Sequence, residues 1–162
     1  MTMLTVPAGD LLGSPGKERP FSGAKPVNLR FGDATVDGPM SVTGVAHGQL
    51  DSVRADFEVS ASAHFICTRC LDEWDETVST SAEQYFRKAP DEDGYAIVDG
   101  VIDVAGPAQD ELALALPTAP LCRADCKGLC PTCGSDLNND PCDGHGEDSE
   151  SPFAALKDLF DS

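Results

Sequence analysis

The chain has 162 residues and carries 28 acids against 11 bases, for a net charge of −17. That length suits one ordinary domain with a real core. The acidic excess is the opposite of the basic footprint by which nucleic-acid binders grip phosphates. Met1 to Pro7 has no basic start, and no apolar run of export-signal length follows it. No stretch approaches the ~18 apolar residues of a membrane helix. The expectation is a cytoplasmic protein with no membrane contact and no small-molecule substrate. The charge is uneven: residues 1–30 hold four bases (Lys17, Arg19, Lys25, Arg30) and two acids, and the rest hold seven bases and 26 acids. Such a surface suits a basic protein partner.

Residues 1–30 read as an N-terminal arm. The apolar stretch Leu4 to Leu12 is expected to dock or form one helical turn, and the Gly- and Pro-rich run 13–26 is expected to be irregular. Residues 31–133 read as a β-rich core. Met40 to Leu50 alternates weakly, with Gly44 and Gly48 loosening its register. From Val53 to Phe65 every odd position is apolar or small and every even one polar. This strict period of two predicts a half-buried antiparallel strand with Phe57 and Val59 inward and Glu58 outward. A second strand, Trp74 to Phe86, places Trp74, Val78, Ala82 and Phe86 on its even side. Residues 89–94 read as a loop, and Asp99-Gly100 between β-branched residues predicts a tight hairpin. A helix is expected from Pro107 to Leu116, ended by Pro117. Residues 134–162 read as an acidic tail closed by a short helix with Ser151 as cap and Pro152 at its first position. Its apolar face is Phe153, Leu156, Leu159 and Phe160. Ten residues do not hold a helix alone in water, so that face is expected to dock, on its own sheet or on a partner. The fold class is α+β: an antiparallel sheet or partly open barrel with few short helices and zinc-knuckle insertions.

Seven cysteines are the chemically telling residues. Cys67 and Cys70 stand between two predicted strands, and Cys122, Cys126, Cys130, Cys133 and Cys142 form a later group, with His145 three residues beyond. Paired thiolates two residues apart at a chain reversal hold two corners of a metal tetrahedron. Cys130-Pro131-Thr132-Cys133-Gly134 has that form, Gly134 letting the backbone curl toward the ion. Eight donors suffice for two closed zinc sites, whereas disulfides would leave one thiol over and do not suit a reducing compartment. Two sortings are open. In one, Cys67 and Cys70 join Cys122 and Cys126, whose spacing would put both thiols on one helical face, while Cys130, Cys133, Cys142 and His145 form a second site. In the other, Cys67, Cys70, Cys130 and Cys133 make a single ribbon. No nucleophile elbow, phosphate loop or His-Glu-x-x-His motif is present, and no catalytic residue or organic cofactor is expected. His47 and His64 lie on strands and read as solvated side chains.

The order of these motifs resembles the YceD family, the large ribosomal RNA subunit accumulation proteins of bacteria and plastids. The residues that carry it are Phe65-Ile66-Cys67-Thr68-Arg69-Cys70-Leu71, Val101-Ile102-Asp103-Val104, Glu111 to Pro117, Cys126 to Gly134, and Ala154 to Leu159. Asp10-Leu11-Leu12 with Pro15-Gly16 is similar to the family's opening. The C-terminal signature departs from the pattern: Ser151-Pro152-Phe153 replaces an Asp-Pro followed by a basic residue. Members that keep the first cysteine pair but lack the later group favour the two-site sorting. The resemblance implies a non-enzymatic ribosome-biogenesis factor for 23S rRNA. It would act through a large-subunit ribosomal protein, an assembly factor or the rRNA precursor. Expected contacts are Lys17, Arg19, Lys25, Arg30, Arg69, Arg123, Lys127, Phe153, Leu156 and Phe160. Two other readings are a zinc-stabilised interaction module for another basic partner and a thiol redox protein using Cys67 and Cys70. Redox pairs usually sit at a helix N-terminus, and this pair separates strands.

Overall fold

Four long antiparallel strands carry the fold: β2 (Glu18–Phe31), β3 (Ala34–Gly48), β4 (Val53–Ile66) and β5 (Glu73–Arg87). The short β6 (Tyr95–Ala96) adds in parallel to β5, giving the order β2-β3-β4-β5-β6. A separate ribbon pairs β1 (Thr5–Pro7) with β7 (Val101–Asp103). The structure, a computed structural model, describes residues 4–90, 92, 94–140 and 142. Among these the architecture is mostly antiparallel β with one helix, α1 (Ala105–Ala115), as expected near Pro107 to Leu116; the expected C-terminal helix lies outside the described residues. The sheet ends in edges at β2 and β6 and so stays open.

The period of two in β4 has the expected consequence. Ala55, Phe57, Val59, Ala61, Ala63 and Phe65 are buried, and Glu58 is exposed. Across the ladder Phe57 faces Ala82, Phe65 faces Trp74 and Val53 faces Phe86, so the even side of β5 shares the buried face. The Phe65 and Trp74 rings stack with centroids 5.3 Å apart. Leu112 and Leu116 of the α1 region join this core, as do Leu4, Val6 and Leu11 from the N-terminal segment. Leu4 to Leu12 therefore docks as expected, through β1 and the turn that follows it. The helix begins two residues before Pro107, with Asp103 Oδ1 accepting the Ala105 N–H at 2.9 Å. It stops where Pro117 forces Leu116 into extended backbone, with ψ at 132°.

The irregular arm expected over 13–26 is corrected: residues 18–31 form β2. Pro20, Gly23 and Pro26 concealed the strand, but an edge strand tolerates proline wherever the missing N–H would face away from the sheet. Pro26 faces Pro39, beside a bulge where five residues of β3 (36–40) oppose three of β4 (61–63). Gly44, read above as a weak point, is a packing requirement. It lies opposite both Phe21 and Phe57, and a Cβ there would sit 2.3 Å from the Asp56 carbonyl and 2.7 Å from the Phe57 Cβ. Gly44→Ala should therefore cost about 1–3 kcal/mol as an overpacking change. Urea unfolding measures it. The Asp99-Gly100 hairpin forms as expected: Val98 and Val101 bridge, with φ of 50° at Asp99 and 74° at Gly100.

His47 and His64 are not simply solvated. His47 lies 3.2 Å from Glu18 and 3.1 Å from Asp56, and His64 lies 3.0 Å from Asp75 and 3.4 Å from Glu73. Both belong to cross-strand polar ladders on the solvent face.

Candidate metal centre

The β4–β5 connection turns sharply. Cys67 N–H donates to the Asp72 carbonyl at 2.8 Å, Leu71 N–H donates to the Cys67 carbonyl at 3.0 Å, and Leu71 takes a φ of 64°. This reversal aims the Cys67 and Cys70 sulfurs the same way. The segment after α1 is tied to it residue by residue. Thr68 N–H and Oγ1 both donate to the Pro120 carbonyl, at 3.0 and 3.2 Å. Arg69 Nη1 donates to the Cys126 carbonyl at 2.9 Å, and Leu129 N–H donates to the Arg69 carbonyl at 3.0 Å. Gly128 permits this approach, because a Cβ at that position would lie 3.0 Å from the Arg69 carbonyl oxygen.

The result is a tetrad. The sulfurs of Cys67, Cys70, Cys122 and Cys126 all lie within 4.8 Å of one another, with Cys70–Cys122 at 3.4 Å and Cys67–Cys126 at 3.8 Å. A tetrahedral ion with metal–sulfur bonds of ~2.3 Å needs sulfurs ~3.8 Å apart. Cys67, Cys70 and Cys126 are buried against Trp74, Leu121 and Leu129. Cys122 and Cys126 reach the cluster from a turn, with Cys126 N–H donating to the Arg123 carbonyl at 3.1 Å, and not from the helical face expected from their spacing. Their ionisation is mutually constrained. Burial pushes the Cys67 thiol up, but N–H groups of Cys122, Cys70 and Arg69 outweigh it and bring the group down to about 6. Burial raises Cys70, and the neighbouring thiols add to the rise. Four thiolates therefore fit this volume only around a cation, which is the chemistry of a closed structural metal site.

A second cluster brings Cys130, Cys133 and Cys142 together, again within 4.8 Å. Cys130–Cys142 is 3.8 Å and Cys133–Cys142 is 3.9 Å. The knuckle closes through Gly134 N–H to the Cys130 carbonyl and Cys130 N–H to the Ser135 carbonyl, both at 2.8 Å. N–H groups of Cys133 and Thr132 hold the Cys130 thiol below its ordinary range. His145, expected as the fourth donor, lies outside the described residues. The thiols thus gather in two groups, and Cys130 and Cys133 do not join Cys67 and Cys70 in a single ribbon.

Asn138 was missed in the sequence. Its Nδ2 donates to the Cys126 sulfur at 3.5 Å, and its Oδ1 accepts the Lys127 N–H at 2.8 Å. Asp136 holds it in place, accepting from Asn138 N–H at 3.0 Å and from Nδ2 at 2.8 Å. An asparagine in an acidic run carries no sequence signal for this role. Hydrogen bonds to ligand atoms orient them, so Asn138→Ala should weaken metal retention about 10–100-fold. A competition titration with a chromogenic chelator measures it.

The expected contact residues are dispersed. Lys17 pairs with Asp10 at 2.5 Å, and Arg19 reaches the same carboxylate with two bonds of 3.0 Å and also donates to the Pro7 carbonyl. Hydrogen bonds from Lys17 and Arg19 bring Asp10 down to about 2. These two bases pin the N-terminal segment to β2. Arg69 ties the Cys67–Cys70 turn to the Cys126 carbonyl, and Arg123 lies 3.6 Å from Asp125. Lys25, Arg30 and Lys127 are exposed, and among the described residues no carboxylate pairs with them. Phe153, Leu156 and Phe160 fall outside the described residues.

An open antiparallel sheet, with a thiol tetrad built on its β4–β5 connection and a second thiol cluster on the segment after α1, defines a mostly-β protein whose cysteine clusters could hold metal ions. Residues 55–160 match the model of the large ribosomal RNA subunit accumulation protein YceD, and the chain belongs to this family. It is 36% identical over 103 residues to an uncharacterized protein of Mycobacterium leprae, covering 58% of this chain and 46% of that one. Uncharacterized proteins of Mycobacterium bovis and Mycobacterium tuberculosis are each 32% identical over 136 residues, covering 78% of this chain and 63% of theirs. The chain thus spans between about half and under two thirds of the length of these relatives. No solved structure gives a significant match. Among the described residues no helix is long and apolar enough to cross a membrane.

Proposed function

We propose that this protein is a non-enzymatic, cytoplasmic ribosome-biogenesis factor that supports accumulation of 23S rRNA. The family match over residues 55–160, which spans both thiol clusters, carries this reading. The net charge of −17 favours a basic large-subunit ribosomal protein as the direct partner over naked rRNA, with Lys25, Arg30 and Lys127 left, of the contact bases expected, for any contact with phosphate. Zinc is the metal that best suits closed all-sulfur and sulfur-rich sites, and two ions would hold the loops after α1 in place.

A thiol redox role is the weaker reading. Cys67 is fully buried, and the Cys67–Cys70 pair joins two strands instead of opening a helix. An affinity pull-down of the metal-loaded, cysteine-intact protein, analysed for both RNA and protein, tests the proposal. Enrichment of a basic large-subunit protein or of precursor 23S rRNA is expected. Enrichment of thiol-disulfide partners alone would contradict it.

A further inference from the structure

β5 is paired along one side only. Residues 73–86 face β4 without a break in register. On the other side β6 meets only Phe86 and Arg87, so along 73–85 no described strand takes up the outer ladder positions. The inner side of this edge is uncovered too. The odd residues 57–65 of β4 are all buried, yet of their partners Trp74, Val78, Thr80 and Ala82 are only half-buried and Glu76 is exposed. The opposite edge, β2, carries devices that discourage strand pairing, namely Pro20, Lys25 and Pro26. Residues 73–85 contain no proline, no lysine and no bulge.

The charge of this edge selects its occupant. Residues 73–86 hold four acids, Glu73, Asp75, Glu76 and Glu83, and no base. Glu73, Asp75 and Glu83 lie on the solvent face, where His64 at 3.0 Å from Asp75 and Arg54 at 3.4 Å from Glu83 offset them only in part. A second copy of the same edge would set these acids against one another, whereas a cationic strand would neutralise them. We infer that the outer edge of β5 accepts, as an added strand, an extended segment of a protein partner in which apolar residues alternate with Lys or Arg. The partner backbone completes the ladder, and its apolar side chains cover Trp74, Val78 and Ala82 on the inner side. Its cations meet Glu73, Asp75 and Glu83 on the outer side. The inference deepens the reading of a basic protein partner and rests on it for the partner's charge.

Trp74 is the only tryptophan of the chain and lies on this edge, so its fluorescence reports on binding directly. The full-length, metal-loaded protein is titrated with a synthetic peptide of about ten residues, strand length, that alternates Val or Thr with Lys or Arg. The control is its N-methylated form, which keeps every charge but donates no ladder hydrogen bonds. Trp74 emission should saturate with the first peptide, and the control should bind at least about tenfold more weakly. Ser79→Lys combined with Ser81→Lys, both exposed, should weaken the first peptide to a similar degree. Amide exchange by NMR locates the contact. The β5 amides that point away from β4 should exchange freely in the protein alone and gain protection with the peptide, while β2 stays unchanged. Equal affinity for both peptides, or unaltered affinity in the lysine variant, would reduce the effect to charge attraction and overturn the inference. Protection of the β5 edge without peptide would overturn it as well, since the chain or a second copy would then cover that edge, as would protection confined to β2. These outcomes are separate from the pull-down, where failure of the basic-partner reading shows as the absence of a basic protein.

Discussion

Cys70→Ser, or removal of the metal by a strong chelator, should unfold the segment from about residue 118 to 142 while the long-strand sheet survives. Among the described residues after Pro117, regular structure is limited to the single Leu129–Asp136 bridge. Their burial is supplied by the cysteines themselves with Trp74, Leu121 and Leu129. Remove the ion, and four crowded thiols replace a closed centre, with nothing else of core size beneath them. Structural zinc contributes about 10–16 kcal/mol of apparent binding free energy in small sites, and that energy is the local folding energy. Amide exchange at Leu129, Cys130 and Leu137, whose N–H groups donate to the carbonyls of Arg69, Ser135 and Gly128, should therefore collapse toward the unprotected rate. Exchange at Val59 should hardly move. Ligation requires thiolates, so acidification should release the metal and reproduce the same pattern. The native mass of the untreated protein should show two zinc equivalents. One equivalent would leave the second cluster without an ion, and intact disulfides would overturn the metal account.

Phe57→Ala should destabilise the sheet by about 3–5 kcal/mol, whereas Glu58→Ala should stay within about 0.5 kcal/mol. Phe57 is only 4% exposed, sits at the centre of the ladder between Gly44 and Ala82, and fills the space that Gly44 leaves open. Its removal leaves a cavity that neighbouring strands, fixed by their own pairing, do not collapse to fill. Glu58 projects to solvent one residue away. Urea unfolding of both variants measures the contrast, and equal effects would mean the strand is buried on both faces.

The same two residues show why much of this fold was legible. Where one face of a strand is dry and the other wet, the pattern alternates strictly, and β4 and β5 announced their register. Asp99-Gly100 was legible for a different reason: two consecutive positive φ values demand particular residue types. β2 was not legible, because its prolines and glycine are acceptable only at an edge, and edge position is a property of the assembled sheet. Lys17 and Arg19 looked like free charges because their partner, Asp10, is close only after the N-terminal segment folds back. The cysteine spacing identified donors but left their grouping open. What decided it was the Thr68–Pro120 and Arg69–Cys126 hydrogen bonds, contacts across more than fifty residues.

The most direct test of the central claim is the ratio of mature 23S to 16S rRNA in cells depleted of this protein. The ratio should fall on depletion, recover with the wild-type chain and fail to recover with Cys70→Ser. An unchanged ratio on depletion would contradict a role in large-subunit rRNA accumulation.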